Sequence, residues 1–268
     1  MRDSTPNSSR AIPLRAVIFD YGNTLVSVDP ALHSQRTDYA DVVAVPGAER
    51  MTRHLESRGL LARERGLRFL DRFLAIREAN RTAADESGEE IPASVSLVET
   101  FRDIGLPEPE GSEVLLAIAH FFSAEEELLQ EIPGAAATLR ALEERGIALA
   151  LLSNATDGDY IRRAVARFDW GRVFRPLIVS SDIGVRKPRP EAFRAVLRAL
   201  PFAPGEIAMV GDSLRHDVGG AQALGLGAYH FTAIPNPWNP VYRGRIVPDA
   251  SAATHPDLLR LLLEAAGG

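Results

Sequence analysis

Ala16-Val17-Ile18-Phe19-Asp20-Tyr21-Gly22-Asn23-Thr24-Leu25 is the stretch on which the reading of this chain turns. A short unbroken apolar run, preceded by Pro13 and closed by Gly22 and Asn23, predicts a buried strand ending in a tight turn. A carboxylate at the end of such a strand is costly. Burial penalises its charge unless a cation, a metal or hydrogen-bond donors compensate it. In open α/β sheets that compensation lies in the crevice beyond the carboxyl ends of the strands, where ligands bind. Asp20 is therefore the first candidate for chemistry. The same residue could instead form an Asx turn that closes the strand, and this segment alone leaves both readings open.

Working outward, the strand pattern stops after Leu25, and helical signals dominate from about 31 to 130. Segments 48–61 and 67–80 carry apolar residues at three- and four-residue spacings, and 95–104 and 112–122 add two more helices. Nothing in this block alternates as a strand does. At Ile132-Pro133-Gly134 the texture changes. Helical segments at 135–145, 160–168, 190–200, 219–224 and 256–266 now alternate with short apolar runs at 147–152, 176–179, 206–210 and 227–231. With the first strand, this predicts βαβ units and a parallel sheet covered by helices. The helical block interrupts that core directly after its first strand, at the carboxyl edge of the sheet, where it could close over Asp20 as a lid. The expected organisation is a disordered polar tail at 1–10, a core of 11–28 and 132–268, and a helical cap of 29–131. The proline-rich stretch 234–241 reads as a rigid surface loop. Its Trp238 could rim the pocket, form a dimer contact or stand exposed.

Composition narrows the function classes. The 268 residues carry a formal net charge of -6, with 46% hydrophobic and 25% charged residues. That suits a globular protein and argues against nucleic acid or an anionic membrane surface as the main partner. Cysteine is absent, which excludes disulfides, thiolate metal sites and a cysteine nucleophile. Residues 1–10 lack the apolar segment of a signal peptide, and no apolar run reaches the length of a membrane span. The expected setting is the cytoplasm, and the expected state a monomer or homodimer. Of the 30 basic residues, Lys187 alone is a lysine. Where arginine serves every generic surface cation, the one retained lysine marks a place that needs a compact ammonium on a flexible stem, chance retention being the alternative.

Four strand ends thus bring polar groups to one edge of one sheet: Asp20, Ser153 with Asn154, Lys187, and Asp212 with Asp217 about a turn further on. Singly, each has an ordinary explanation. Ser153 or Asp212 could cap the following helix, and Asp217 could be an exposed helix carboxylate. Together, three acids with neither cysteine nor histidine suit a hard cation such as Mg²⁺. Lysine and the N–H groups of strand-to-helix turns suit a phosphate.

These segments resemble the four motifs of the haloacid dehalogenase-like superfamily of phosphohydrolases. They are Phe19-Asp20-Tyr21-Gly22-Asn23-Thr24-Leu25, Leu151-Leu152-Ser153-Asn154, Arg186-Lys187-Pro188 with Pro190-Glu191-Ala192-Phe193 after it, and Val210-Gly211-Asp212-Ser213 through Asp217. Their order is the family's, and the first is followed by room for the helical cap of its C1 subgroup. The resemblance implies an α/β fold: a Rossmann-like parallel sheet core with helices on both faces, plus an inserted all-helical cap domain. It also implies an Mg²⁺-dependent phosphohydrolase acting on a small phosphorylated metabolite. Asp20 would attack phosphorus in line and form an aspartyl-phosphate. Asp20, the main-chain carbonyl of Gly22 and Asp212 would hold Mg²⁺, with Asp217 binding it directly or through water. Ser153 and the Asn154 backbone would hold phosphate oxygens, and Lys187 would neutralise Asp20 and the phosphate together. Thr24 would support the loop and the attacked group.

Gly22 departs from this pattern. Phosphatases of the family usually carry a second aspartate two residues after the nucleophile, which protonates the leaving oxygen and then activates water. Losing a general acid costs on the order of 10²–10⁴ in rate. Three compensations are open: a leaving group that needs no proton, as in acyl or glycosyl-1 phosphates; an acid from the cap, with Asp29, His33 and Asp38 nearest in sequence; or substrate or water. The alternative function is a catalytically impaired member that binds a ligand or a protein. Hydrolytic dehalogenation needs no metal and is disfavoured by Asp212 and Asp217. Phosphonatase chemistry needs a cap lysine, and the cap has none. Gly211-Asp212-Ser213-Leu214 also spells the motif of the GDSL esterases, but it lies late in the chain, and Ala252 stands where the aspartate partner of His255 is required. Cap residues Arg36, Arg72, Arg77 and Arg81 could meet an anionic substrate or form solvated helix faces.

Overall fold

All four residues of Ala16–Phe19 (β1) are fully buried, Val17 and Phe19 in one apolar core and Ala16 and Ile18 in another. A strand apolar on both faces belongs in the middle of a sheet covered on both sides. The computed structural model, which describes residues 14–28 and 40–267, places it there. The other strands are Val26–Val28 (β2), Leu129–Glu131 (β3), Ala148–Ser153 (β4), Leu177–Val179 (β5), Ile207–Gly211 (β6), Gly227–Phe231 (β7) and Ala250–Ala252 (β8). Six of them form a parallel sheet in the order β5-β4-β1-β6-β7-β8. From β1 the chain builds outward through β4 and β5, then returns to the other side of β1 with β6. Strand order therefore reverses around β1, and such a reversal opens the ligand crevice of a parallel sheet at the strands' carboxyl ends.

Among the described residues, four helices lie between β2 and β3: Val45–Ser57 (α1, entered through a wider helical turn at Ala40–Ala44), Gly66–Ser87 (α2), Ala93–Asp103 (α3) and Gly111–Leu128 (α4). Their inward faces supply Met51, Leu55, Phe69, Phe73, Phe101 and Phe121 to the same core as Val17 and Phe19. β2 and β3 pair antiparallel, Val26 opposite Glu131 and Val28 opposite Leu129, so a two-stranded ribbon carries the chain into and out of the helical insert. The remaining helices are Ala135–Glu144 (α5), Gly158–Arg167 (α6), Ser180–Ile183 (α7), Pro190–Leu197 (α8), Gly220–Gln222 (α9), Asn239–Tyr242 (α10) and His255–Ala265 (α11).

The loop between α2 and α3 is stitched into the core. Glu89 bridges Val185, the Glu90 N–H donates to the Gly184 carbonyl, Arg186 N–H to Gly88 and Ala93 N–H to Thr156. Asp85, near the end of α2, pairs with Arg215 at 2.7 Å and His216 at 2.9 Å.

Four sequence expectations need correction. The strand pattern does not stop at Leu25, and the block read as helical to 130 ends in a strand, because Val26–Val28 and Leu129–Glu131 pair with each other across the whole insert. The sheet has a sixth strand, β8, whose Ala-Ser-Ala carries no β-branched or alternating pattern and is held through its parallel pairing with β7. The helix expected at 219–224 is preceded by a wide turn at Leu214–Gly219, and regular helix covers Gly220–Gln222. The tail at 1–10 lies outside the described residues, as do Asp29, His33, Arg36 and Asp38. Among the described residues no helix is long and apolar enough to cross a membrane.

Candidate active site

Asp20 is the first residue beyond β1, and its N–H still pairs with the Val210 carbonyl of β6. The chain then turns sharply: Asn23 N–H donates to the Val26 carbonyl at 2.7 Å and Leu25 N–H to Tyr21 at 2.9 Å. Asn23, not Gly22, takes the left-handed conformation (φ +56°), which asparagine tolerates better than most residues. The turn brings the Thr24 hydroxyl to 3.4 Å from Asp20 Oδ2. Behind it, the fully buried His255 meets the Thr24 carbonyl through Nε2 at 3.0 Å. Burial drives the pKa of His255 down to about 4, so the ring is a neutral donor that anchors the loop. Sequence reasoning missed this role; a histidine at a helix start carries no local sign of a partner 231 residues away.

Lys187 follows α7 and a short loop, and only 1% of it is exposed. Its ammonium lies 2.7 Å from Asp20 Oδ1, 2.7 Å from the Leu152 carbonyl and 2.7 Å from Asp217 Oδ1. Two of its N–H groups donate to Asp20 and to the Leu152 carbonyl, and the same compact ammonium forms an ion pair with Asp217, an arrangement that a planar guanidinium does not reproduce. Burial works against this charge, but the carboxylates of Asp20 and Asp217 outweigh it and raise the lysine's pKa above its ordinary value. Asn154 holds the Lys187 main chain at both ends: its Oδ1 accepts from Lys187 N–H at 2.8 Å and its Nδ2 donates to the Lys187 carbonyl at 2.9 Å. The Asn154 side chain is thus committed to positioning, which leaves its main chain for the phosphate expected there. Ser153, at the end of β4, is buried beside it, and α6 is capped by Asp157 instead.

Asp212 and Asp217 flank the end of β6, and Asp217 is buried, not the exposed helix carboxylate that was the plain alternative. The Ser213 hydroxyl caps the following turn by accepting from His216 N–H, and Ser213 N–H donates to Asp217 Oδ2 at 2.9 Å. Gly211 makes this approach possible, since a Cβ there would overlap the Asp217 carboxyl group. One carboxylate oxygen from each of Asp20, Asp212 and Asp217 lies within 4.8 Å of the others. Burial pushes Asp212 up to about 8, with the charges of Asp20 and Asp217 adding to the rise. Burial likewise pushes Asp20 up to about 6, against the pull of Lys187. Three buried acids against one ammonium are short of positive charge, and an all-oxygen donor set of this kind fits Mg²⁺.

Next to these groups, reached through Gly22 and Ser153 and not lined by the acids or Lys187 themselves, is a cavity of about 280 Å³, lined also by Asn154 and, from the insert, by Arg77, Arg81, Glu90 and Glu125. Gly22 is exposed to it, and a Cβ at that position would meet nothing within 4 Å. Arg77 is buried with its guanidinium 4.8 Å from the centre of the Phe121 ring. Arg72 is not part of the cavity; it pairs with Asp103 on the surface. Glu90 reaches the core through Ser180, whose hydroxyl donates to Glu90 Oε2 at 2.5 Å and accepts from Ala155 N–H at 2.9 Å. The proline-rich loop does not rim this cavity. It packs behind Asp212, with Trp238 72% exposed.

Residues 14–225 match the sequence model of a hydrolase family, the haloacid dehalogenase-like hydrolases. A phosphoserine phosphatase of Thermus thermophilus is 37% identical over 111 residues, 41% of this chain and 44% of that protein. A phosphoglycolate phosphatase of Shigella boydii is 27% identical over 79% of each chain. The chain spans less than half the length of the first curated relatives it matches. In fold it is similar to a 2-haloacid dehalogenase of Pseudomonas syringae pv. Tomato, with a TM-score of 0.62 and 21% identity over 94% of this chain and 99% of that one.

Proposed function

Because this chain belongs to the haloacid dehalogenase-like hydrolase family, we propose that it is an Mg²⁺-dependent phosphohydrolase of the cytoplasm. Its substrate would be a small phosphorylated metabolite, and residues 29–131 would form a cap of the C1 type over the core. The observation that carries this reading is the convergence of Asp20, Lys187, Asp212 and Asp217 next to a cavity whose lining includes Gly22, Ser153 and Asn154.

Asp20 attacks phosphorus in line: the Asp20 O–P bond forms as the bond from phosphorus to the leaving oxygen breaks. Water then attacks phosphorus of the aspartyl-phosphate, releasing inorganic phosphate and returning the free carboxylate. Lys187 fixes the carboxylate and offsets the charge gathered around the phosphoryl group, while Thr24 steadies the nucleophile loop. Ser153 and the Asn154 main chain hold phosphate oxygens. Mg²⁺, held by Asp20, the Gly22 carbonyl, Asp212 and Asp217, would screen the nucleophile from the phosphate it attacks.

With no side chain at Gly22 to protonate the leaving oxygen, the site favours substrates whose leaving group departs as a stable anion, acyl and glycosyl-1 phosphates among them. The same glycine supports the second reading, a member that binds a ligand without turning it over.

Phosphate release from small phosphate esters and acyl phosphates, with Mg²⁺ or EDTA, separates the two. Mg²⁺-dependent release by the wild type that disappears in Asp20→Asn is the expected result. No release from any substrate by a folded protein that still binds Mg²⁺ favours the binding module.

A further inference from the structure

The proline-rich loop is a sequence feature that the proposed reaction leaves unused, and its hydrogen bond to Asp212 gives it a task. Asn236 lies between Pro235 and Pro237. A proline at the following position confines the asparagine backbone to extended conformations. Its side-chain oxygen accepts from Trp238 N–H at 3.0 Å. That contact fixes which end of the amide faces inward, a matter otherwise open for an asparagine. The inward end is Nδ2, which donates to Asp212 Oδ2 at 3.0 Å.

Asn239, buried on the same loop, works on the main chain of the same turn. Its Oδ1 accepts from Leu214 N–H at 2.8 Å, so its Nδ2 points to the Asp212 carbonyl, also at 2.8 Å. His230 Nε2 lies 3.1 Å from that carbonyl and 3.1 Å from Asn239 Nδ2. Asp212 is thus gripped twice, at its backbone by Asn239 and at its carboxylate by Asn236.

Resting on the metal site proposed above, we propose that Asn236 and Asn239 are positioning residues for Asp212: the first sets the rotation of its carboxylate, the second the path of its main chain. A carboxylate free to rotate loses its aim at the shared space with Asp20 and Asp217. Outer hydrogen-bond partners of metal ligands typically contribute about 10–100-fold in affinity. Pro235 and Pro237 hold the amide in place, which gives the loop's composition a physical purpose. Trp238 contributes its N–H, and its exposed ring is dispensable for this task.

The test is calorimetric titration of the full chain with MgCl₂ alone, beside apo-state thermal melts. Asn236→Ala removes both contacts. Asn236→Ser keeps an acceptor for Trp238 N–H, as serine forms the same turn more weakly, but is too short to span to Asp212. Both should weaken Mg²⁺ binding by about tenfold or more with the apo melt unchanged. Trp238→Ala, which retains the N–H, should bind as the wild type does. If Asn236→Ala and Asn236→Ser both bind Mg²⁺ within twofold of wild type, the positioning role is wrong while the metal site stands. If Trp238→Ala weakens binding equally, the effect belongs to loop folding and the role is likewise wrong. A wild type that binds no Mg²⁺ overturns the metal site itself, and this inference with it.

Discussion

Lys187→Met removes the cation that pairs with two of the three buried carboxylates while keeping an unbranched side chain of similar length. At 2.7 Å, each of the two ion pairs is worth about 6 kcal/mol at an effective dielectric near 20. Several kcal/mol of that are consumed in the wild type by desolvating the ammonium. In the variant, part of the loss is recovered because the stranded carboxylates take up protons. What remains is about 3–5 kcal/mol, the usual cost of breaking a buried pair from one side. For a chain of this size that lowers Tm by on the order of 10 °C. The sign with pH follows from the same bookkeeping. Carboxylates without their cation have folded pKa values raised above the unfolded ones, so between those values the folded state binds more protons. The deficit should therefore be largest near pH 8 in EDTA and shrink as pH falls toward 5. Urea unfolding of wild type and variant across that range measures it. A deficit under about 1 kcal/mol at pH 8, or one that does not change with pH, would refute this account of the cluster.

Gly22→Asp should fold, because a Cβ there meets nothing within 4 Å and the backbone does not require glycine. It should raise turnover on alkyl phosphates by on the order of 10² or more, read as phosphate release; no gain would mean that the proton comes from another group. His255 contributes stability that is present above its unfolded pKa of 6.5 and lost as pH falls toward its folded pKa of about 4, because the unfolded chain takes the proton first. The loss is roughly 3 kcal/mol over that window. His255→Gln should flatten this part of the stability profile in urea unfolding, and an unchanged profile would discount the histidine.

What could be read from the sequence was local. An apolar run ending in Asp20, a Gly211-Asp212 pair after another run, and a solitary lysine are each visible within a few residues, and they marked the acids and the ammonium that the fold brings together. That the sheet is parallel followed because alternating strands and helices admit few connections, while its strand order came only with the fold. What escaped depends on partners far along the chain. β3 is a strand because β2 lies beside it, and β8 because β7 does. The hold of His255 on Thr24, of Asn154 on Lys187 and of Asn236 on Asp212 all join residues with no local pattern between them. Single polar side chains satisfying distant backbone groups leave no periodicity to detect. Gly22 is the opposite case: its departure was legible, while the space around it was not.

The solitary lysine also makes the protein its own reporter. Lys187 is the chain's only side-chain amine, 1% exposed and held in its protonated form by two carboxylates. Acylating reagents attack the free base, so the folded site protects this amine by burial and by charge at once. An amine-directed label can reach it only when the crevice opens, and no other lysine contributes background. The rate at which that one side chain is modified therefore tracks how often the site is exposed, and ligands that hold it shut should slow the reaction in proportion.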